Sequence, residues 1–226
     1  MDKKKVISWT LYDWANSAFA TTVMAGFFPI FFEKYWSNPE LVDESTFYLG
    51  LSNSIASLIV AAMAPFLGAI SDTGSTKKKF LLTFAFLGIL ATSLLWFVEQ
   101  GDWQLAAILY AVGCIGFSSG NVFYDSLLPS VAKKDELDLV SSLGFSIGYL
   151  GGGILFVVNI IMYENPEWFG IPDPATAIRL SFITVAIWWA VFSMPIFLFV
   201  PEKKNNDSSS FGEAVSLGWI QLKKTF

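Results

Sequence analysis

The sequence contains no histidine, a single cysteine and few charged residues. The absence of histidine excludes His-based metal sites, His general bases and His proton relays. The single cysteine, Cys114, cannot form an internal disulfide, and its apolar surroundings favour a small buried residue. Charged residues make up 15% of the chain, against about a quarter in soluble proteins. With 54% hydrophobic residues, a soluble domain could not cover its surface, so we expect an integral membrane protein. No basic patch indicates nucleic-acid binding.

Six apolar stretches fill most of the chain, and a helix of about 20 residues crosses a bilayer. They predict an all-α integral membrane protein, with a six-transmembrane-helix bundle over residues 1–200. The first stretch is longer than the apolar core of a signal peptide, so we interpret it as a retained helix. Residues 201–226 predict a cytoplasmic linker with an amphipathic helix, because Ser210 and Glu213 have the spacing of a capping box. The predicted helices cover about 7–32, 47–71, 80–98, 103–132, 139–162 and 177–200.

Basic residues are distributed unevenly between alternate loops. Of the 14 Lys and Arg residues, all but Lys34 and Arg179 fall on one side of the predicted helices. Cytoplasmic loops carry the excess of Lys and Arg in membrane proteins. We therefore predict that both termini are cytoplasmic. Tryptophans near the predicted helix ends also suggest an aromatic belt at the membrane surfaces; these are Trp9, Trp36, Trp96, Trp103 and Trp168.

Two carboxylates lie inside predicted membrane helices, where charges are costly and usually functional. Asp13 is about six residues into the first helix and Asp125 about seven before the end of the fourth, so both reach ~9–10 Å from the cytoplasmic ends. Each belongs to a polar stripe, with Asn16 on the first helix and Asn121 on the fourth. We predict that these four residues line a pathway for a solute or a proton. The alternative is that they are polar contacts between packed helices, each contributing about 0.6–2 kcal/mol.

Glycines mark two further places. Gly144, Gly148, Gly151, Gly152 and Gly153 lie in the fifth helix. Their spacing predicts close helix packing, easier bending, or both. Between the second and third helices, Gly68, Asp72 and Gly74 precede a run of three lysines. Taken alone this is an ordinary polar turn, and its position after the second of six helices makes it more specific.

That loop resembles the signature loop of the major facilitator superfamily. The string Tyr12-Asp13-Trp14-Ala15-Asn16-Ser17-Ala18-Phe19 resembles the opening of the branch that includes the autophagy-related vacuolar amino-acid effluxers and their bacterial relatives. The strings from Tyr124 to Pro129 and from Gly148 to Gly152 are similar to that branch as well. The resemblance implies the N-terminal half of a twelve-helix fold and transport by alternating access. It also implies a gating role for Gly68, Asp72 and Gly74, and a bacterial inner (plasma) membrane as the location.

Two departures limit what the resemblance implies. The superfamily's common arginine in the fourth helix is absent, and Tyr149 stands where the antiporter signature has proline, so antiport is not implied. We predict a secondary transporter for a small polar solute, in which the two carboxylates would allow proton coupling. An amino acid as the solute is implied by the resemblance alone. Its expected partners are the lipid bilayer, the solute and a second six-helix half, which is either a C-terminal half or another copy. The alternative is a non-transporting assembly factor or sensor. No catalytic set, metal site or cofactor is indicated.

Overall fold

The computed structural model describes residues 2–37, 42–73 and 76–202, without the side chains of 42–45, 69 and 71–73. Within those ranges, six helices are long and apolar enough to cross a membrane, which confirms the predicted all-α six-helix fold class. Gly74 and residues 203–226, including the predicted amphipathic helix, lie outside the described residues. The helices are α1 Lys3–Trp36, α2 Val42–Thr73, α3 Lys77–Leu94, α4 Trp103–Ser126, α5 Leu137–Glu164 and α6 Pro174–Phe199.

The helix ends differ from the predicted ones where capping groups and prolines act. Helix α1 starts at Lys3 instead of about residue 7, because the Asp2 side chain accepts the amide of Lys4 at 3.2 Å. Helix α4 stops at Ser126, short of the predicted 132, and resumes as the single turn Leu128–Val131. Pro129 lies in that turn, and because it has no amide hydrogen it cannot continue the helical hydrogen-bond pattern to the Asp125 carbonyl. Capping and proline chemistry therefore set these boundaries, and hydrophobicity alone does not.

The helices pack side by side in the order α2, α4, α3, α6, α1, α5. Helix α1 packs extensively on α5 and α6, and α4 packs extensively on α3 and α2. By contrast, α1 and α4 approach each other over only a short length, although they face each other inside the bundle. Helices α2 and α5 are left at the two flanks.

The core is rich in aromatic side chains. The most completely buried large side chains include Phe19, Phe28, Phe182 and Trp189. Trp9 and Trp36 are also buried, at 2% and 0% exposure. Their prediction as membrane-surface anchors was therefore wrong, because both rings pack inside the bundle.

Helix α2 is the least covered of the six. Only 6% of its most apolar window, in Thr46–Gly68, is buried, against 33% or more in each of the other five spans. Large apolar side chains such as Phe47, Ile55 and Leu58 are exposed along it. Such a surface requires lipid or another protein to cover it.

Candidate functional site

The facing surfaces of α1 and α4 bring the two predicted intramembrane acids together. We call this region, Trp9–Met24 of α1 and Cys114–Asp125 of α4, the α1–α4 seam. Asp13 and Asp125 line one cavity of about 70 Å³ at one end of the seam, together with Asn121. Because α1 begins at Lys3, Asp13 lies ~15 Å from its helix start, deeper than predicted. The cavity has room for a few water molecules or one small polar group.

The carboxylates of Asp13 and Asp125 have few hydrogen-bond or ion-pair partners among the described residues. Ser17 donates from Oγ to Oδ1 of Asp13 at 3.1 Å. Asp13 is half-buried and Asp125 is exposed to the cavity and its opening. Within the part of the chain that the structure describes, neither acid forms an ion pair with Lys or Arg. An unpaired carboxylate at membrane depth is costly, and it gains by binding a proton or a cation.

Asn16 and Asn121 join the two helices directly. Asn16 donates from Nδ2 to Oδ1 of Asn121 at 2.6 Å. Asn16 is 1% exposed, and its own Oδ1 has no hydrogen-bond partner among the described residues. Asn121 therefore lines the acidic cavity, whereas Asn16 lies behind it, outside the described lining, and is held by its bond to Asn121.

An aromatic stack forms the wall beside the acids. Trp9 stacks on Tyr124 with ring centroids 4.3 Å apart, and its Nε1 donates to the Tyr124 carbonyl at 3.1 Å. Tyr12 stacks on Tyr124 at 5.1 Å. The hydroxyls of both tyrosines are buried without a hydrogen-bond partner among the described residues. Of the two tyrosines, Tyr124 lines the cavity, whereas Tyr12 is fully buried behind it.

Four residues of the cavity wall were absent from the predicted set. They are Trp9, Tyr124, Ser141 and Phe145. Trp9 lies one turn before Asp13, so helical spacing contained a signal for it. Ser141 lies seven residues before Gly148, on the same face of α5.

Four of the five predicted packing glycines hold α5 against α1. A Cβ at Gly148 would lie 2.8 Å from Cγ of Asp13, and one at Gly144 would lie 2.7 Å from the Trp9 ring. A Cβ at Gly151 would meet the Trp14 side chain, and a Cβ at Gly152 would lie 2.8 Å from the Ser17 carbonyl oxygen. Gly153 is different, because among the described residues no heavy atom lies within 4 Å of its Cβ position. Gly153 therefore does not form part of the close contact with α1, and its alternative role in helix bending stays a prediction.

The predicted gating residues contribute little described geometry. Among the described residues, no heavy atom lies within 4 Å of the Cβ position at Gly68. Asp72 lies in the last turn of α2 instead of in a loop, and its side chain is not described. Their gating role stays a prediction.

The lysines that follow this loop fasten three helix ends together. Lys78 donates from Nζ to the carbonyls of Phe197 at 2.6 Å and Val200 at 2.9 Å. Lys77 donates from Nζ to the Ser126 carbonyl at 3.0 Å, and its amide donates to Oε1 of Glu202. Burial raises the pKa of Glu202, and its bonds to the amides of Lys77 and Lys78 oppose that rise. The start of α3 is thereby tied to the ends of α4 and α6.

A second cavity lies farther along the seam, between α1, α2 and α4, with a volume of about 230 Å³. Cys114 is a free, buried thiol in its wall. Among the described residues, no group of three or more His, Cys, Asp or Glu side chains is placed to hold a metal ion.

Comparison with known proteins identifies relatives along most of the chain. The sequence model of a family described as "Vacuole effluxer Atg22 like" matches residues 40–226. The chain is similar to YxiO of Bacillus subtilis, described as an uncharacterized MFS-type transporter. The two are 37% identical over 202 residues, covering 88% of this chain and 47% of the relative.

More distant relatives extend the same similarity. An uncharacterized protein of Aquifex aeolicus is 28% identical over 183 residues, covering 81% of this chain and 44% of the relative. Autophagy-related protein 22 of the yeast Vanderwaltozyma polyspora is 21% identical over 239 residues, covering 86% and 45%. The chain thus spans about half the length of the curated relatives it matches. No solved structure matches it.

Proposed function

The chain belongs to the vacuole effluxer Atg22-like family of the major facilitator superfamily, and on this premise we propose that it forms the six-helix half of a secondary transporter. The proposed solute is small and polar, and it moves by alternating access between this half and a second one. The observation that carries the proposal is the shared cavity: two carboxylates on different helices of membrane-spanning length line one space, and neither has an ion-pair partner among the described residues.

In the proposed mechanism, Asp13 and Asp125 bind either a cationic group of the solute or a proton. A carboxylate that takes up a proton loses its attraction for a cation, so competition between the two would couple solute movement to protons. Asn121 supplies an amide group in the cavity wall, and Asn16 orients it by donating to its Oδ1. An amino acid, whose ammonium group suits the acids, is the solute class implied by the family resemblance.

The second half is the proposed partner, either a C-terminal half or another copy of this chain. Support comes from the exposed apolar length of α2, which lies at one flank of the bundle. The clustering of Lys residues supports cytoplasmic termini, and the similarity to YxiO of Bacillus supports a bacterial plasma membrane. Gly68, Asp72 and Gly74 would then lie at the cytoplasmic gate.

Counter-flow uptake in proteoliposomes tests the proposal. The protein is purified from membranes under mild conditions, so that any second half stays bound, and a panel of labelled amino acids and amines is supplied. We expect uptake by the wild type and at least a tenfold loss in Asp13→Asn and Asp125→Asn, equivalent to about 1.4 kcal/mol or more. Asp135→Asn, a change at an exposed loop acid away from the cavity, is the matched control and should transport normally.

Two results would contradict the proposal. Normal transport by both Asn variants would make the acids structural. Absence of counter-flow for the whole panel, with correctly inserted wild-type protein, would favour the assembly-factor or sensor alternative. Size-exclusion profiles of each variant show whether a loss of uptake reflects misfolding.

A further inference from the structure

The second cavity on the α1–α4 seam differs from the acidic one in both size and charge. Its volume is about 230 Å³, and none of the described residues in its wall is charged. Since a water molecule occupies about 30 Å³ in the liquid, the space suits a group of about five to eight non-hydrogen atoms. We call it the neutral cavity.

Polar groups of the neutral cavity have unused hydrogen-bonding capacity. Tyr110 donates from Oη to Oδ1 of Asn53 at 2.9 Å, which fixes the amide and leaves its Nδ2 as a donor. Ser57 and Ser118 form no hydrogen bond among the described residues. By contrast, Ser52 and Ser54 on the same helix as Ser57 bond back to main-chain carbonyls at 2.7 and 2.8 Å. The serines in the cavity wall are therefore available to a bound molecule, and their neighbours are not.

The remaining wall is apolar. Met24 of α1 and Val60 of α2 face the cavity together with small alanines. A group that satisfies the amide and hydroxyls while filling this wall needs a polar end and a short apolar end. A net charge would be unfavourable, because no countercharge lies in the wall.

The two cavities follow each other along α4. Ser118 lines the neutral cavity and Asn121 lines the acidic one, with ~4.5 Å of helix rise between them. The bond between Asn16 and Asn121 lies at this division. A solute moving along the seam would therefore meet a charged site and then an uncharged one.

We propose that the neutral cavity is a second binding site, which takes an uncharged hydrogen-bonding group with a short apolar part. Within the proposed function, on which this last step rests, it receives the uncharged part of the solute. The site itself does not require transport.

The single cysteine provides a direct assay, because Cys114 lines this cavity and the chain has no other thiol. Its modification by methyl methanethiosulfonate, a small neutral reagent, is followed by mass spectrometry on the full chain in lipid nanodiscs. The probes are isobutyramide and its charged isosteres isobutyrate and isobutyramidinium. We expect isobutyramide at twice its Kd to slow modification about threefold, and the two ions to have no effect at the same concentration.

Three variants test whether the protection of Cys114 arises from binding in the neutral cavity. Asn53→Leu keeps the side-chain volume but removes the amide, so isobutyramide should no longer protect Cys114. Ala61→Leu narrows the cavity from an exposed position and should slow modification without any probe. Ser54→Ala is the matched control, since its hydroxyl bonds to Gly50 away from the cavity, and it should behave as the wild type.

Several outcomes would overturn the inference. They are equal protection by all three probes, no protection by isobutyramide, or a Cys114 that stays unreactive in native protein yet reacts after unfolding. Protection without counter-flow would retain the neutral site and refute transport. Counter-flow without protection would retain the proposed transport and refute the neutral site.

Discussion

Two adjacent glycines of α5 provide a sharp test of the packing between α1 and α5. A Cβ at Gly152 would lie 2.8 Å from the Ser17 carbonyl oxygen and 2.9 Å from Oγ1 of Thr21. A Cβ at Gly153 would have no heavy atom within 4 Å. The substitutions Gly152→Ala and Gly153→Ala therefore add the same methyl group, one residue apart, to a closed and an open surface.

The expected difference follows from these distances. Ordinary contact begins near 3.4 Å, so Gly152→Ala requires the two backbones to separate by about 0.6 Å. Main-chain atoms cannot rotate away, and overpacking of this kind costs about 1–3 kcal/mol. Alanine gains up to about 1 kcal/mol of helix propensity over glycine at either site. We expect Gly152→Ala to lower the free energy of unfolding by about 1–2 kcal/mol and Gly153→Ala to raise it by up to about 1 kcal/mol.

Reversible unfolding in mixed detergent, followed by far-UV circular dichroism, measures both values. The hydrogen bond from Oγ1 of Thr21 to the Gly152 carbonyl, 3.1 Å long, crosses the same contact and should weaken with it. If the two alanine variants are equally stable, α5 does not contact α1 through this face. The position of Gly148 beside Asp13 would then have to be reconsidered as well.

Two charged groups outside the membrane spans give pH-dependent predictions. Burial raises the pKa of Glu202. When the folded-state pKa of a carboxyl lies above its unfolded-state pKa, the protein becomes less stable as the pH rises through the folded-state pKa. The melting temperature of the wild type should therefore fall more steeply between about pH 4 and about pH 8 than that of Glu202→Gln. Parallel curves of Tm against pH for the two proteins would contradict this. Bonds from the amide and hydroxyl of Thr176 lower the pKa of Asp173, the N-cap of α6. The stabilisation that ionised Asp173 gives to the folded protein should be present at neutral pH and disappear as the pH falls through the lowered pKa. Asp173→Ala should cost about 1 kcal/mol at pH 7 and Asp173→Asn less, whereas an Ala variant as stable as wild type would refute the cap.

The sequence was sufficient for the number of helices but not for the depth of the acids, because α1 begins earlier and α4 ends earlier than the hydrophobic pattern predicted. Hydrophobic runs of membrane length predicted six spans, and helical spacing placed Asp13 with Asn16, and Asn121 with Asp125, on common faces. Spacing could not tell which neighbour each face meets. The burial of Trp9 and the outward position of Gly153 depend on how α1 lies against α4 and α5. The neutral cavity was missed for the same reason, because its wall combines residues from three helices.

The packing of α1 and α4 on their other neighbours bears on whether the seam's polar residues are a pathway or only contacts between helices. Helix α1 uses the glycine face of α5, and α4 uses Gly116, whose Cβ position lies 2.6 Å from the amide nitrogen of Gly88 on α3. Both helices therefore have close packing elsewhere, and polar side chains remain where they face each other. If these side chains served only as contacts, each should bond across the seam. Asn16 and Asn121 do so. Asp13 bonds within its own helix, and Asp125 forms no hydrogen bond among the described residues. The contact interpretation accounts for the asparagines and leaves two costly carboxylates unexplained, which favours the pathway.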